Sequence, residues 1–181
     1  TLQDLEFYSS QDSRIKVYTK ENQKYAQYSK AFGQEKASGE FIFLFDRDFD
    51  NQFIFSSNIK PVIIKPKARH ALAFKFWYDV KLTLVLRSIK PDIVIQPYGF
   101  CSLTTKFPQL LVLHDLAFLH YPKFIAKQHL LYYKKFTPKF LKKAKHIATV
   151  SEFSKQDISN QYKTSSEKIS VVYSAAKPVF A

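Results

Sequence analysis

The sequence predicts an α/β fold in which a parallel sheet is flanked by helices. From residue 60 onward, strand-like and helix-like segments mostly alternate, and most of the strand-like segments are continuous apolar runs. Such runs are typical of strands covered on both faces, as in a parallel sheet with helices on each side. At 181 residues, of which 46% are hydrophobic, the chain suits one domain with ample material for a core.

Local patterns place the individual elements. Strands are predicted at residues 14–20, 41–46, 61–66, 92–97, 110–115, 146–151 and 169–174. Helices are predicted at 69–90, where Leu72, Phe76, Val80, Leu84 and Ile89 recur at near-helical spacing, and at 123–145. Ser154 followed by Asp157 has the pattern of a capping box and predicts a helix that runs to about Tyr162. Residues 1–40 stay poorly assigned, and residues 41–181 are interpreted as the domain.

Composition limits the classes of function. The net charge of +13 predicts attraction to anions such as nucleic acid, anionic lipid or phosphorylated substrates. Only three glycines occur, and they are too far apart for a glycine-rich phosphate-binding loop. The single Cys101 forms no internal disulfide, so we expect a reducing, cytoplasmic location. No apolar run approaches the roughly 18 residues of a membrane span, and no signal peptide is visible. The lack of any Met predicts a processed chain or a fragment.

A basic segment free of Asp and Glu extends from residue 116 to residue 151. Its lysines interleave with aromatic and aliphatic residues, which predicts one amphipathic helix, or two helices joined at Thr137 and Pro138. Such a helix suits an anionic membrane surface or nucleic acid, whereas the alternative is lysine stems that cover a core-facing aromatic stripe. We expect an anionic membrane surface rather than nucleic acid. The lysines concerned are Lys123, Lys127, Lys134, Lys135, Lys139, Lys142, Lys143 and Lys145.

Polar residues follow three of the predicted strands. These residues are Gln96-Pro97-Tyr98-Gly99, His114-Asp115 and Ser151-Glu152. Parallel α/β sheets bind ligands at the carboxyl ends of their strands, so we expect these groups to share one rim. His114 is the leading candidate for a group that contacts substrate. The alternative is that His114 closes the sheet edge and that Asp115 caps the following turn.

The remaining candidates have less support from the residues around them. His120 is a lesser candidate, while His70, His129 and His146 are expected to be solvated. Cys101 lies in a polar loop without a catalytic motif, and Ser151 lacks the glycines of a nucleophile elbow.

Asp46 and Asp48 follow a strand-like run and form an Asp-x-Asp pair. One interpretation is a divalent metal site for a nucleotide diphosphate, and the other is a polar turn. A calcium loop is excluded, because Asn51 and Ser57 replace its glycine and glutamate. We prefer the polar turn.

Residues 110–174 resemble the N-terminal domain of GT-B glycosyltransferases, specifically the retaining family 4 group. The resemblance rests on LLVLHDLAFLHYP, FLKKAKHIATVSEFSKQDI and EKISVVYS in that order, and PDIVIQPYGF is compatible with it. It implies a Rossmann-like domain that forms the acceptor side of a two-domain hexosyltransferase. A C-terminal domain absent from this chain would bind most of the nucleotide-sugar donor. The acceptor would be a glycan or a lipid-linked molecule, as in polysaccharide biosynthesis, and no metal or cofactor is expected.

The resemblance also implies roles for the rim residues. His114 matches the family's rim histidine and would contact the transferred sugar, while Asp115 would orient His114 or its loop. Tyr98, Gly99 and Ser151 would shape the acceptor side. The basic helix would hold the cytoplasmic enzyme on the inner face of a membrane as a peripheral protein. The alternative is a non-enzymatic basic module that binds anionic membrane or nucleic acid.

Overall fold

Parallel strands and the helices between them make up the part of the chain that the structure describes. In this computed structural model the described residues are 16–17, 40–65 and 71–173. The strands are β1 Lys16–Val17, β2 Phe41–Phe45, β3 Ile59–Ile63, β4 Val94–Gln96, β5 Gln109–Val112, β6 His146–Thr149 and β7 Ile169–Val171. The helices are α1 Ala71–Phe76, α2 Leu82–Ile89, α3 Ala117–His120, α4 Lys127–Lys143 and α5 Glu152–Tyr162, and a π-helical turn, Trp77–Lys81, joins α1 to α2.

The strand order is that of a doubly wound sheet. Backbone hydrogen bonds join β1, β4, β5, β6 and β7 in that order and pair β2 with β3, and every pair is parallel. Because β1 also contacts β2, the β2–β3 pair lies beside β1, and the described strands lie in the order β3-β2-β1-β4-β5-β6-β7. The direction of winding reverses between β1 and β4, which is where such sheets bind ligands. The predicted parallel α/β class is therefore confirmed.

Most predicted strands are present, but their bounds differ. The strand predicted at 61–66 occupies Ile59–Ile63, with Pro61 inside it. Pro61 is tolerated because β3 pairs only with β2 among the described strands, and a residue without an N–H suits a sheet edge. Of the prediction for 14–20, only residues 16–17 are described. Of residues 1–40, which the sequence leaves poorly assigned, only 16–17 and 40 are described.

The helix predicted at 69–90 is present over residues 71–89, including the π-helical turn, but the middle of its predicted apolar stripe faces outward. Phe76, Val80 and Leu84 are exposed, whereas a second set that includes Trp77 and Leu82 is buried. The indole N–H of Trp77 donates to the carbonyl of Ile64 at 3.0 Å, which turns this set toward the sheet. Both sets have helical spacing, so spacing alone did not decide which one packs on the core.

Helix α4 is one continuous helix, so the alternative of two helices is wrong. Pro138 lies inside it and is exposed. Since Pro138 has no N–H, the carbonyl of Lys134 loses its helical donor, and exposure lets water replace it. Phe140 and Leu141 are buried against the sheet, while most of the lysines face solvent.

Helix α5 begins one turn earlier than predicted. Ser151 is its N-cap, and its Oγ accepts a hydrogen bond from the Ser154 amide at 3.1 Å. The capping box predicted at Ser154 and Asp157 is therefore wrong. Ser154 lies in the first turn of the helix, and its amide donates to the capping oxygen, which Ser151 supplies three residues earlier. The helix ends at Tyr162, as predicted.

The C-terminal end of α4 is held by a lysine from the turn before β7. Nζ of Lys168 donates to the carbonyls of Leu141, at 2.7 Å, and Lys142, at 3.4 Å. These carbonyls have no partner within the helix, and they carry the negative end of the helix dipole. Partial burial lowers the pKa of the Lys168 ammonium, so desolvation offsets part of the gain.

We expect Lys168→Met to lower the free energy of unfolding by about 1 kcal/mol, because it removes the charged donor and keeps most of the apolar stem. Urea denaturation followed by circular dichroism measures this change. The control is Lys142→Met, which alters an exposed lysine in the last turn of α4 and should change stability by less than about 0.5 kcal/mol. Equal effects of the two substitutions would contradict this role for Lys168.

Candidate functional site

The carboxyl ends of β4, β5 and β6 lie side by side, so the three polar groups predicted for one rim are brought together. Leu111 pairs with Gln96 on one side and with Ile147 on the other, which fixes the register of the three strands. The segments that begin at Pro97, His114 and Ser151 therefore leave the sheet at the same edge.

His114 is held by both neighbouring strands. Its Nε2 lies 3.3 Å from the carbonyl oxygen of Pro97, beyond β4, and its own carbonyl accepts a hydrogen bond from Oγ1 of Thr149, in β6, at 3.3 Å. Since a carbonyl only accepts, Nε2 is the protonated nitrogen in this bond, and Nδ1 is the acceptor atom of the neutral ring. The side chain is half-buried, so the rim presents an oriented imidazole.

Asp115 and Ser151 both act on the backbone at the rim. Oδ1 of Asp115 accepts a hydrogen bond from the Ala117 amide at 2.8 Å and so shapes the turn into α3. This agrees with the capping interpretation of Asp115. Ser151 caps α5, the helix that follows β6 at the rim. Their local hydrogen bonds make both residues part of the frame of the rim.

Gly99 allows the β4 rim loop to approach β5 closely. It has φ = 72°, in the left-handed region, and its amide donates to the carbonyl of Val112 at 2.9 Å. A Cβ at this position would lie 3.1 Å from Cδ1 of Leu113, tighter than most contacts of real Cβ atoms. Glycine meets both demands, since it has no side chain. Tyr98, beside it, is half-buried in the same turn.

The connection from β4 to β5, residues 97–108, contains no helix, although parallel strands are usually joined by one. The buried side chain of Gln109 replaces part of the missing regular structure. Its Oε1 accepts from the Ser102 amide at 2.9 Å, and its Nε2 donates to the Ser102 carbonyl at 2.8 Å. Oγ1 of Thr83, in α2, adds a 2.9 Å bond to Oγ of Ser102.

Phe100 anchors the same connection among aromatic rings. Its ring centroid lies 4.8 Å from that of Phe74 in α1 and 6.1 Å from that of Phe140 in α4. Phe100 thus packs against two core clusters, one under α1 and α2 and one under α4 and α5. The segment fills the space between these helices where a crossover helix would otherwise lie.

Cys101 lies in this connection, which is the polar loop predicted around it, and its side chain is buried. Ser102 and Thr105 are buried as well. Burial raises the pKa of the Cys101 thiol to about 12, so the thiol stays protonated near neutral pH. A protonated, buried thiol is a poor nucleophile, and the position does not favour cysteine catalysis.

Asp46 and Asp48 occupy different environments at the end of β2. Asp46 is 1% exposed, and its carboxylate accepts two hydrogen bonds from Arg47, at 2.9 and 3.1 Å. Asp48 is exposed. A shared metal ion would have to displace the guanidinium of Arg47 from Asp46. Among the residues that the structure describes, no group of three or more His, Cys, Asp or Glu could hold a metal ion.

The other predicted histidines differ in their surroundings. His129 is exposed, as predicted. His146 was expected to be solvated, but it is half-buried at the start of β6, and its Nε2 lies 2.9 Å from Oγ of Ser170. Burial, with Lys168 and Lys155 nearby, lowers its pKa. His120 lies 2.6 Å from Asp157, and His70 is outside the described residues.

The predicted basic segment contains both exposed lysines and exposed apolar side chains, which are together called the basic face here. Phe124 is 85% exposed, Leu131 is 69% exposed and Tyr121 is 63% exposed. Lys143 is half-buried, and the other seven predicted lysines are exposed: Lys123, Lys127, Lys134, Lys135, Lys139, Lys142 and Lys145. None of the described helices is long and apolar enough to cross a membrane.

Sequence reasoning missed the groups that hold His114. Thr149 is an ordinary residue for a strand, and Pro97 contributes only its backbone carbonyl, a group that every residue has. Neither residue therefore carries a signal in the sequence. Gln109 carried one signal, because a glutamine at the start of an apolar strand must find polar partners when it is buried.

Solved structures share this fold at low sequence identity. A glycosyltransferase from Rickettsia africae aligns with a TM-score of 0.51 and 14% identity, over 88% of this chain and 43% of its own. HepE from Anabaena, solved with UDP and glucose, has a TM-score of 0.56 and 12% identity, over 91% and 45%. A UDP-GlcNAc 2-epimerase from Methanocaldococcus jannaschii has a TM-score of 0.57 and 12% identity, over 88% and 45%. No curated protein matches the chain in sequence.

The strand order and these likenesses define the class of fold, which is the Rossmann-like N-terminal half of a GT-B protein. The chain spans less than half the length of each of these three structures. Its sequence matches the model of a protein family, described as Glycosyltransferase Family 4, over residues 39–177, which is most of the chain. The chain therefore belongs to glycosyltransferase family 4, and the predicted resemblance is confirmed.

We expect Gly99→Ala to lower the free energy of unfolding by about 1–2 kcal/mol, because a Cβ disfavours the left-handed backbone and crowds Leu113. The matched comparison is Lys90→Gly, at the left-handed C-cap of α2 with φ = 53°. Glycine relieves strain there, so this substitution should raise stability by about 1 kcal/mol. Urea denaturation of both variants tests the pair, and an unchanged midpoint for Gly99→Ala would contradict the argument.

Proposed function

We propose that this domain is the acceptor side of a retaining hexosyltransferase. The enzyme would transfer a sugar from a nucleotide-sugar donor to a glycan or lipid-linked acceptor, as in polysaccharide biosynthesis. The observation that carries the proposal is the oriented imidazole of His114 at the carboxyl rim of a family 4 domain. Since the fold is shared with UDP-GlcNAc 2-epimerases, the family match and not the fold favours transfer.

In this proposal His114 contacts the sugar that is transferred. Its contact with Pro97 fixes the ring plane before substrate arrives, which lowers the entropic cost of reaching the transition state. A fixed imidazole can form a hydrogen bond with the sugar or stabilise charge that develops on it. Asp115 holds the turn that carries His114, while Tyr98, Gly99 and Ser151 shape the acceptor side.

Most donor contacts would come from a second domain. The chain spans less than half of each of the three similar structures, and HepE was solved with UDP and glucose. We infer that activity requires the other half of the enzyme, and that this half binds the nucleotide. No metal is proposed, because Arg47 engages both oxygens of Asp46.

We expect His114→Ala to lower kcat for sugar transfer by about 100-fold or more in the full enzyme, a loss typical of one transition-state contact. His114→Gln should lose activity to a similar extent, because its amide can still donate to the Pro97 carbonyl but cannot act as an imidazole. Transfer from UDP-glucose and other UDP-sugars to lipid extracts and glycans, followed by mass spectrometry, measures the rate.

The control for this experiment is His129→Ala, which alters an exposed histidine on α4. It should keep wild-type activity. Transfer at the wild-type rate by His114→Ala would contradict the proposed role of His114. Conversion of UDP-GlcNAc to its C2 epimer, without transfer to any acceptor, would favour the epimerase class instead.

We also propose that the basic face binds an anionic membrane surface from the cytoplasmic side. Lysines can neutralise lipid headgroups, while the largely exposed side chains of Phe124 and Leu131 would enter the headgroup region. Nucleic acid would use the same charge but offers no layer for exposed aliphatic side chains. A non-enzymatic role as a basic binding module would be supported if binding were tight and His114→Ala had no effect on transfer.

We expect binding to vesicles of phosphatidylcholine and phosphatidylglycerol, and little binding to phosphatidylcholine alone. Phe124→Ser should weaken binding by about tenfold, as expected for the loss of one inserted ring. Lys134→Gln should weaken it by about fivefold, and added salt should weaken it further. Sedimentation with vesicles measures all of these effects.

The matched controls are Leu84→Ser, which alters an exposed leucine on α2, and Lys106→Gln in the β4–β5 connection. Both should bind vesicles like wild type. The membrane proposal is wrong, and the partner is nucleic acid, if two results are found together. Phe124→Ser would have no effect on vesicle binding, and duplex DNA would bind as tightly as the vesicles and with the same sensitivity to salt.

A further inference from the structure

His120 and Asp157 form a polar contact between two segments that both begin at the rim. Nε2 of His120 lies 2.6 Å from Oδ2 of Asp157. His120 ends α3, which follows His114 closely along the chain, and Asp157 lies in α5, which begins after Ser151. The contact therefore joins the segments that leave β5 and β6.

The contact is short and partly shielded from water. The side chain of Asp157 is 11% exposed, and that of His120 is 39% exposed. A distance this short is characteristic of charge-assisted hydrogen bonds, which are roughly twice as strong as neutral ones. A carboxylate turned away from water costs free energy if it lacks a partner, so the pair favours the arrangement in which α3 contacts α5.

Helix α3 needs such support, because it has four residues and cannot form on its own. Leu116 and Phe118 are buried and hold one side of the segment. Asp115 bonds the amide at its start. The contact from His120 to Asp157 holds its end, so the chain that follows His114 is fixed at both ends.

We propose that His120 and Asp157 are positioning residues, which act by holding the segment that follows His114 and so help to keep its imidazole beside Pro97. This inference rests on the proposed function of His114 in sugar transfer. Neither residue needs to touch substrate, because the effect passes through α3. The pair would determine how narrowly the ring of His114 is confined beside Pro97.

The test uses nitrogen NMR of the protein labelled with ¹⁵N-histidine. We expect Asp157→Ala and His120→Ala to shift or broaden the Nε2 resonance of His114, and to speed amide exchange in residues 117–121 by about tenfold or more. His120→Gln should stay close to wild type, because its amide can replace Nε2 as donor. If Asp157→Ala does not fold, Asp157→Asn removes the charge and keeps the shape.

The matched control is Ser159→Ala, which removes a 2.8 Å bond to the Thr164 carbonyl at the far end of α5. It should leave the His114 resonance unchanged. Faster exchange in residues 117–121 with an unchanged His114 resonance in the His120 and Asp157 variants would mean that the pair only stabilises α3. That result would overturn the proposal.

Activity separates this inference from the proposed function. In the full enzyme we expect Asp157→Ala to lower kcat by about tenfold, with little change in the KM for donor, and His120→Gln to restore most of the rate. The NMR readout needs no sugar substrate. A shifted His114 resonance without transfer by any form of the enzyme would overturn the proposed function, whereas an unshifted resonance overturns the positioning role whatever the activity.

Discussion

The burial of a connection without a helix between β4 and β5 is the constraint on which the rim depends. Backbone groups in such a segment lose water and need other partners. The side chain of Gln109 supplies two of them by pairing with both backbone groups of Ser102, and Phe100 fills the space between α1 and α4. Because the segment is fixed at these points, Gly99 meets the end of β5 and Pro97 reaches His114.

The rim acquires its chemistry from neighbouring strands rather than from one motif. His114 lies at the end of β5, but the groups that fix it come from the loop after β4 and from Thr149 in β6. A parallel sheet makes this possible, since all of its carboxyl ends meet at one edge. Asp115 and Ser151 contribute by shaping the backbone on either side, so the imidazole is oriented by a frame of ordinary hydrogen bonds.

Helix α4 has an inner face that is buried and an outer face that is exposed to solvent. Phe140 and Leu141 close the core, and Lys168 stabilises the carbonyl end of the helix. The outer face keeps its lysines in solvent with Leu131 exposed among them. The two alternatives weighed for this segment are thus compatible, because the aromatic stripe is partly core while the charge stays available for an anionic partner.

The sequence by itself determined the parallel α/β class, the approximate positions of the elements and the family, because continuous apolar runs and the motifs around His114 are local signals. The tertiary structure alone decided the finer points. Spacing did not reveal that Trp77, and not Phe76, faces the sheet, since both stripes are helical and only packing distinguishes them. The contact between the carbonyl of Pro97 and His114 could not be predicted from the sequence either, because it depends on strand order and on how the β4–β5 connection is buried.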